Sequence, residues 1–165
     1  QISIRSPVLA HDGRNLAAAF QTIIEIGDHV LLHSILQQAF PDCHFMAGGS
    51  PGILQMQMER NGIRRPLDAA ELSDGTLRFL CLAVALLSPR PPAMMALNEP
   101  ENSLHPDLLP ALAKLLAEAS RHSQLWITSH SPALANAIAR HQPVRRFLLD
   151  QEEGATVVKA TDWLG

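Results

Sequence analysis

The sequence predicts an α/β domain, a parallel core sheet with helices on its faces and a small antiparallel element near residues 53–65. Short continuous apolar runs at 93–97 and 125–128 have the length of buried parallel strands. Longer apolar segments at 76–87, 106–119 and 132–140 have helical length and alternate with those runs. A strand–helix–strand–helix succession closes into a parallel sheet through crossovers. Size and composition agree, because 165 residues with 47% hydrophobic and 18% charged positions suffice for one core and are too apolar for disorder.

In chain order, Asp12-Gly13-Arg14-Asn15 reads as a turn, with Asn15 capping a helix over 16–24 that ends near Gly27. A second amphipathic helix over 28–40 carries Val30, Leu31, Ile35 and Leu36 at helical spacing and stops before Pro41. The segment 53–59 alternates after Leu54, and Asn61-Gly62 is a strong hairpin signal, with Ile63-Arg64-Arg65 as the returning strand. The segment 76–87 is apolar on nearly every side apart from Arg78, as a buried helix is. The run 93–97, closed by Asn98-Glu99-Pro100, predicts a central parallel strand. A helix over 106–119 follows, with Pro106 acceptable in its first turn. The run 125–128 is a second buried strand, and Ser131 opens a helix over 132–140. Strands at 144–149 and 155–159, joined by the polar residues 150–154, complete the chain as a hairpin. Ligands of parallel sheets sit at the carboxyl ends of the strands, and the polar ends here are Asn98-Glu99 and Thr128-Ser129-His130.

Composition removes several classes of function. Lys and Arg number 13 against 16 Asp and Glu, with a pI near 6.2, so no global positive field draws the chain to nucleic acid or anionic lipid. Two cysteines, Cys43 and Cys81, without a CxxC pair give neither a disulfide framework nor a zinc knuckle, and fit a reducing cytoplasm. No apolar run reaches the roughly 18 residues of a membrane span, and the start has no charged region followed by an apolar one. With Gln1 and not Met as its first residue, the expectation is a processed or cut chain. No GxSxG nucleophile elbow occurs, and Gly49-Ser50-Pro51-Gly52 lacks its frame, which argues against acyl-transfer hydrolysis.

Four places are candidates for chemistry. Glu99 directly follows an apolar strand, where its carboxylate serves either as a base that orients water or as a solvated cap of the next helix. Glu101 and His105 lie four apart and invite a metal, but Pro100 and Pro106 argue against one continuous helix across them. Ser73-Asp74-Gly75-Thr76 opens the buried helix, where free N–H groups and the dipole favour phosphate; an ordinary Ser N-cap is the plainer reading. His130, between two serines past a buried strand, either contacts a bound anion or caps its own helix. His29 and His33 on a mixed helical face read as packed or solvated residues, and Cys81 as a small core residue.

In order, these segments resemble the second half of an ABC-type ATPase of the RecF/SMC-like, AAA-type group. Leu72-Ser73-Asp74-Gly75-Thr76 resembles the signature motif, and Met94-Met95-Ala96-Leu97-Asn98-Glu99-Pro100 resembles Walker B. Asn102-Ser103-Leu104-His105-Pro106 resembles the D-loop, and Thr128-Ser129-His130-Ser131 the switch-histidine loop. The likeness runs from about residue 6 to 150 and is specific over 72–131. It implies a P-loop NTPase-like fold in one partial ATPase domain over 1–165, binding ATP and Mg2+.

By the family's pattern, Glu99 orients the attacking water and His130 senses the γ-phosphate. Ser73, Asp74, Gly75 and Thr76 reach nucleotide held by a partner subunit, and Ser103, Leu104 and His105 form the D-loop. Asn98 stands where Walker B has Asp, so it meets the metal only through water and without charge. GxxxxGK[ST] does not occur and no Gly-Lys dipeptide exists in the chain, so nothing here wraps the α- and β-phosphates. The expectation is a C-terminal portion of a longer ATPase head, inactive alone, forming a homodimer or pairing with the absent N-terminal half. A DNA or effector-protein partner is expected, and no membrane. The alternative is a non-catalytic interaction module on the same fold.

Overall fold

Residues 6, 8–10, 12–49 and 54–165 are described in a computed structural model of the chain. Helix α1 (Leu16–Ile26) turns its apolar side inward, with Phe20 and Ile23 each 1% exposed. Asn15 occupies its N-cap position without capping it. The Asn15 amide instead accepts from the Ala10 N–H and donates to the Ser6 hydroxyl and the Val8 carbonyl, binding the preceding loop to the helix start. Helix α2 (His29–Ala39) is capped as an Asp should cap, with the Asp28 carboxylate accepting from the Leu31 N–H at 2.9 Å.

Strands β1 (Cys43–Gly48), β2 (Gln55–Arg60) and β3 (Leu67–Asp68) form an antiparallel sheet in that order. The expected hairpin is thereby corrected. Asn61-Gly62 does turn, with Gly62 at φ 89°, but 63–65 do not pair; β2 pairs along its length with β1 and only briefly with β3. Pro66 lacks an N–H for a ladder, and Arg65 turns outward to clasp Glu71 through both guanidinium nitrogens, which removes 63–65 from the sheet. Ile53, the first residue of that expected strand, lies outside the described residues.

Helix α3 (Asp74–Leu86) and helix α4 (Leu109–Ala119) cross the centre of the core, where Phe79, Leu80, Leu112 and Leu115 are each 0% exposed. The segment expected as one helix from Pro106 begins with a 3-10 turn, Pro106–Leu108, before α4 takes over. Strands β4 (Met94–Asn98) and β5 (Gln124–Thr128) pair in parallel, Asn98 opposite Thr128. Helix α5 (Pro132–Ala139) follows β5, and β6 (Val144–Glu152) and β7 (Ala155–Leu164) make a long antiparallel hairpin with a register shift at Leu148/Leu149.

The expectation of strands buried on both faces fails for β4 and β5. Met95, Leu97, Leu125 and Ile127 pack against the core, but the opposite face leaves Met94 56% and Trp126 60% exposed. The reason is that β4 and β5 pair only with each other among the described residues, and the helical core lies against one side of them. No described helix is long and apolar enough to cross a membrane.

Candidate functional site at the ends of the parallel strands

The ends of β4 and β5 are joined by more than their register. The Glu99 N–H donates to the Thr128 carbonyl at 2.9 Å, and the Thr128 hydroxyl donates to Asn98 Oδ1 at 2.6 Å. The Asn98 amide oxygen thus accepts one hydrogen bond from the neighbouring strand end, of the two it can take. One residue on, the Ser129 hydroxyl donates to Glu101 Oε1, and the Ser131 N–H donates to Ser129 Oγ at 2.9 Å. The loop after β5 is thus held to the loop after β4 by side chains from both.

Glu99 sits at the hinge of this arrangement with φ 44°, a left-handed conformation that costs a non-glycine residue on the order of 1 kcal/mol or more. Its carbonyl accepts from the Asn102 N–H at 3.0 Å, which closes a turn, and from Arg78 Nη2 at 2.9 Å. Its carboxylate is one-third exposed and places Oε1 3.2 Å from Nε2 of His130, whose ring is almost wholly in solvent. Of the two readings of each residue, the structure pairs the carboxylate and imidazole and gives the capping of α5 to Ser131, whose Oγ accepts from the Leu134 N–H.

At the tip of α3, Ser73 is an N-cap whose Oγ accepts from the Thr76 N–H at 3.2 Å and lies 2.8 Å from Thr76 Oγ1. Asp74 puts a negative charge into the first turn. Gly75 has a packing reason, since a Cβ there would come within 2.9 Å of the Ser103 carbonyl oxygen. Ser103 itself is left-handed at φ 64°. The helix tip and the turn at 99–104 therefore touch backbone to backbone. Among the described residues no hydrogen bond or ion pair joins Ser73, Asp74 or Thr76 to Glu99 or His130. Leu104 packs against the core, and the His105 Nδ1 accepts from the Asp107 N–H at 3.3 Å and faces the Asp107 carboxylate.

The approach to α3 is fixed by charge. Arg65 binds both oxygens of Glu71, the Glu71 carboxylate also accepts from the Asp68 N–H, and together they hold the carboxyl down to about 2. Glu101 and His105 have separate partners, and among the described residues no group of three or more His, Cys, Asp or Glu is arranged to hold a metal. His33 stacks on His44 with ring centroids 5.7 Å apart, far from the strand ends in sequence, and burial followed by the neighbouring imidazoles lowers its pKa. Burial raises the Cys81 thiol, as its place beside the core predicts. A surface cavity of about 470 Å³ at residues 59–66 is lined by none of the candidate residues. Arg78, whose guanidinium reaches the Glu99 carbonyl, is marked in the sequence only as a lone charge in an otherwise apolar helix.

Residues 10–136 match the family described as AAA domain, putative AbiEii toxin, Type IV TA system. No curated protein matches the chain. Among solved structures, one from work on ATP-driven dimerization and DNA-stimulated activation of SMC ATPases matches with TM-score 0.63 and 16% identity, over 86% of this chain and 84% of that one. The Smc head domain of Pyrococcus furiosus with an extended coiled coil, bound to the C-terminal domain of ScpA, matches with TM-score 0.61 and 16% identity, over 87% of this chain and 35% of its own. The SMC head domain of Thermotoga maritima matches with TM-score 0.55 and 16% identity, over 87% and 50%. The chain thus has the fold of an SMC head, P-loop NTPase-like, and spans half or less of the last two proteins.

Proposed function

The chain belongs to the AAA-domain family described as putative AbiEii toxin, Type IV TA system, and on that premise we propose that it is the signature and Walker B portion, residues 72–131, of an ATP-hydrolysing head that works as a nucleotide-sandwich dimer. The fold and the family make it an ATPase-type nucleotide-binding module. The single observation that carries the finer reading is the Glu99–His130 pair at 3.2 Å on adjacent strand ends, where a carboxylate and an imidazole meet in a partly open position.

Glu99 holds and orients the water that attacks the γ-phosphate, its carboxylate accepting the water's proton. His130, solvent-facing and tethered to Glu99, donates to the phosphate oxygen and reports its presence. Ser73, Asp74, Gly75 and Thr76 present the tip of α3 to nucleotide held by a second copy, with the turn of Ser103, Leu104 and His105 beside the seam. Mg2+, when bound, would supply positive charge that offsets the negative charge of the phosphates, and Asn98 would meet it through water. The Asn98 amide oxygen, with one hydrogen bond accepted from Thr128, suits an indirect contact of this kind. The phosphate-wrapping loop comes from outside these 165 residues. A DNA or effector-protein partner and action in the cytoplasm belong to the same proposal.

A second reading, a non-catalytic interaction module, is favoured by one observation, the use of Asn98 Oδ1 by Thr128 in place of a Walker B carboxylate. Light scattering of the full-length Glu99→Gln protein separates the two. The head reading expects a dimer with ATP and Mg2+ and a monomer with ADP. An unchanged mass, with no binding of a fluorescent ATP analogue, overturns it.

A further inference from the structure

We propose that Arg78 is a positioning residue that holds Glu99 in its working conformation and ties it to the phosphate-facing tip of its own helix. The inference deepens the proposed function and rests on Glu99 acting on the attacking water. Glu99 leaves the strand with φ 44°, and such a backbone persists only when its surroundings over-determine it. The restraints are visible. The Glu99 N–H is bonded to the Thr128 carbonyl, and its carbonyl takes two donors, the local Asn102 N–H and the distant Arg78 Nη2.

Arg78 lies on α3, one turn past Ser73 and Gly75, so the guanidinium fastens the helix that carries the tip to the backbone of the residue that carries the carboxylate. Gly75 packs on Ser103 at the far side of the same turn. Helix α3 therefore grips the 99–104 turn at both ends, and a displacement of its tip is passed to the Glu99 backbone. In the proposed dimer the tip of α3 faces the nucleotide held by the second copy while Glu99 of the same subunit serves its own, so this link couples the two sites.

Stability alone does not account for Arg78. Among the described residues its one hydrogen bond reaches a neutral carbonyl, while its Nε is buried without a partner. Across the turn Glu101 Oε2 is likewise buried and has no partner among the described residues. A buried charged donor left unsatisfied is destabilising relative to an apolar side chain of the same shape. Replacement by Met should therefore leave the fold at least as stable and injure only the chemistry.

The test uses the full-length protein, with kcat and KM for ATP and the melting temperature measured for wild type, Arg78→Met, Arg78→Lys and Glu99→Gln. Arg78→Met is expected to lower kcat about tenfold or more, the size of losing a precisely held geometry, with KM within about threefold. Its melting temperature should not fall, and Lys, which restores a donor, should recover at least about half of the lost rate. If Arg78→Met keeps the wild-type kcat beside an inactive Glu99→Gln, the role of Arg78 is overturned and the site reading stands. If Arg78→Met melts more than about 5 °C lower or fails to fold, Arg78 is structural and the proposal is overturned. Wild-type turnover in Glu99→Gln overturns the site reading and this inference with it.

Discussion

The helical interior and the strand-end loops obey opposite rules. In the regular helices α3 and α4 the inward side chains Phe79, Leu80, Leu112 and Leu115 are sealed at 0% exposure. At the ends of β4 and β5, a few residues away, the chain has two left-handed non-glycine residues, an exposed His130 and a half-open Glu99. The interior holds the fold, and the loops spend some of that stability on geometry. The contacts of α3 with the loops, through Arg78 and Gly75, are where the two meet.

The contrast is broken most severely in the interior. Leu112→Ala should cost about 2–5 kcal/mol in denaturant unfolding, because it leaves a cavity among sealed neighbours. Trp126→Ser, on the open face of β5, should stay within about 0.5 kcal/mol. Equal losses would show that the open face is packed in solution. Glu99→Gln inverts the pattern in the full-length protein. Turnover should fall about 100-fold, some 2.7 kcal/mol in barrier, with the unfolding midpoint unmoved. A shifted midpoint would make Glu99 part of the scaffold.

The smallest effect lies at the approach to α3. The Glu71 carboxyl, held at about 2 against an ordinary 4.5, contributes stability that is present above 4.5 and lost as pH falls toward 2. The exposure of the Arg65–Glu71 pair keeps that contribution small. Melting curves of wild type should drop more steeply between pH 4.5 and 2 than those of Glu71→Gln, and parallel curves would contradict the pairing.

Much of this was legible in local pattern. The helix over 76–87 and the strands near 93–97 and 125–128 appear within a residue or two of their expected bounds, because an apolar run and a Ser N-cap are local signals. Glu99, His130 and their neighbours could be picked out because strand ends are marked by the switch from apolar to polar. What escaped was tertiary. Strand β1 carries one buried side chain, Phe45, and needs β2 to be a strand at all. The open face of β4 and β5 depends on what lies beside them, and both runs look the same in sequence whether covered or bare. The Arg78–Glu99 bond joins residues 21 apart on different elements, and no spacing rule announces it.

The most direct measurement of a site shared between two copies is subunit mixing. Full-length Glu99→Gln and Ser73→Arg variants, each inactive alone, are combined and assayed for ATP hydrolysis. In a two-fold dimer the mixed species rebuilds one intact site from the Glu99 of one copy and the Ser73 of the other, so activity should return toward about a quarter of wild type. A mixture as inactive as its components would contradict the account.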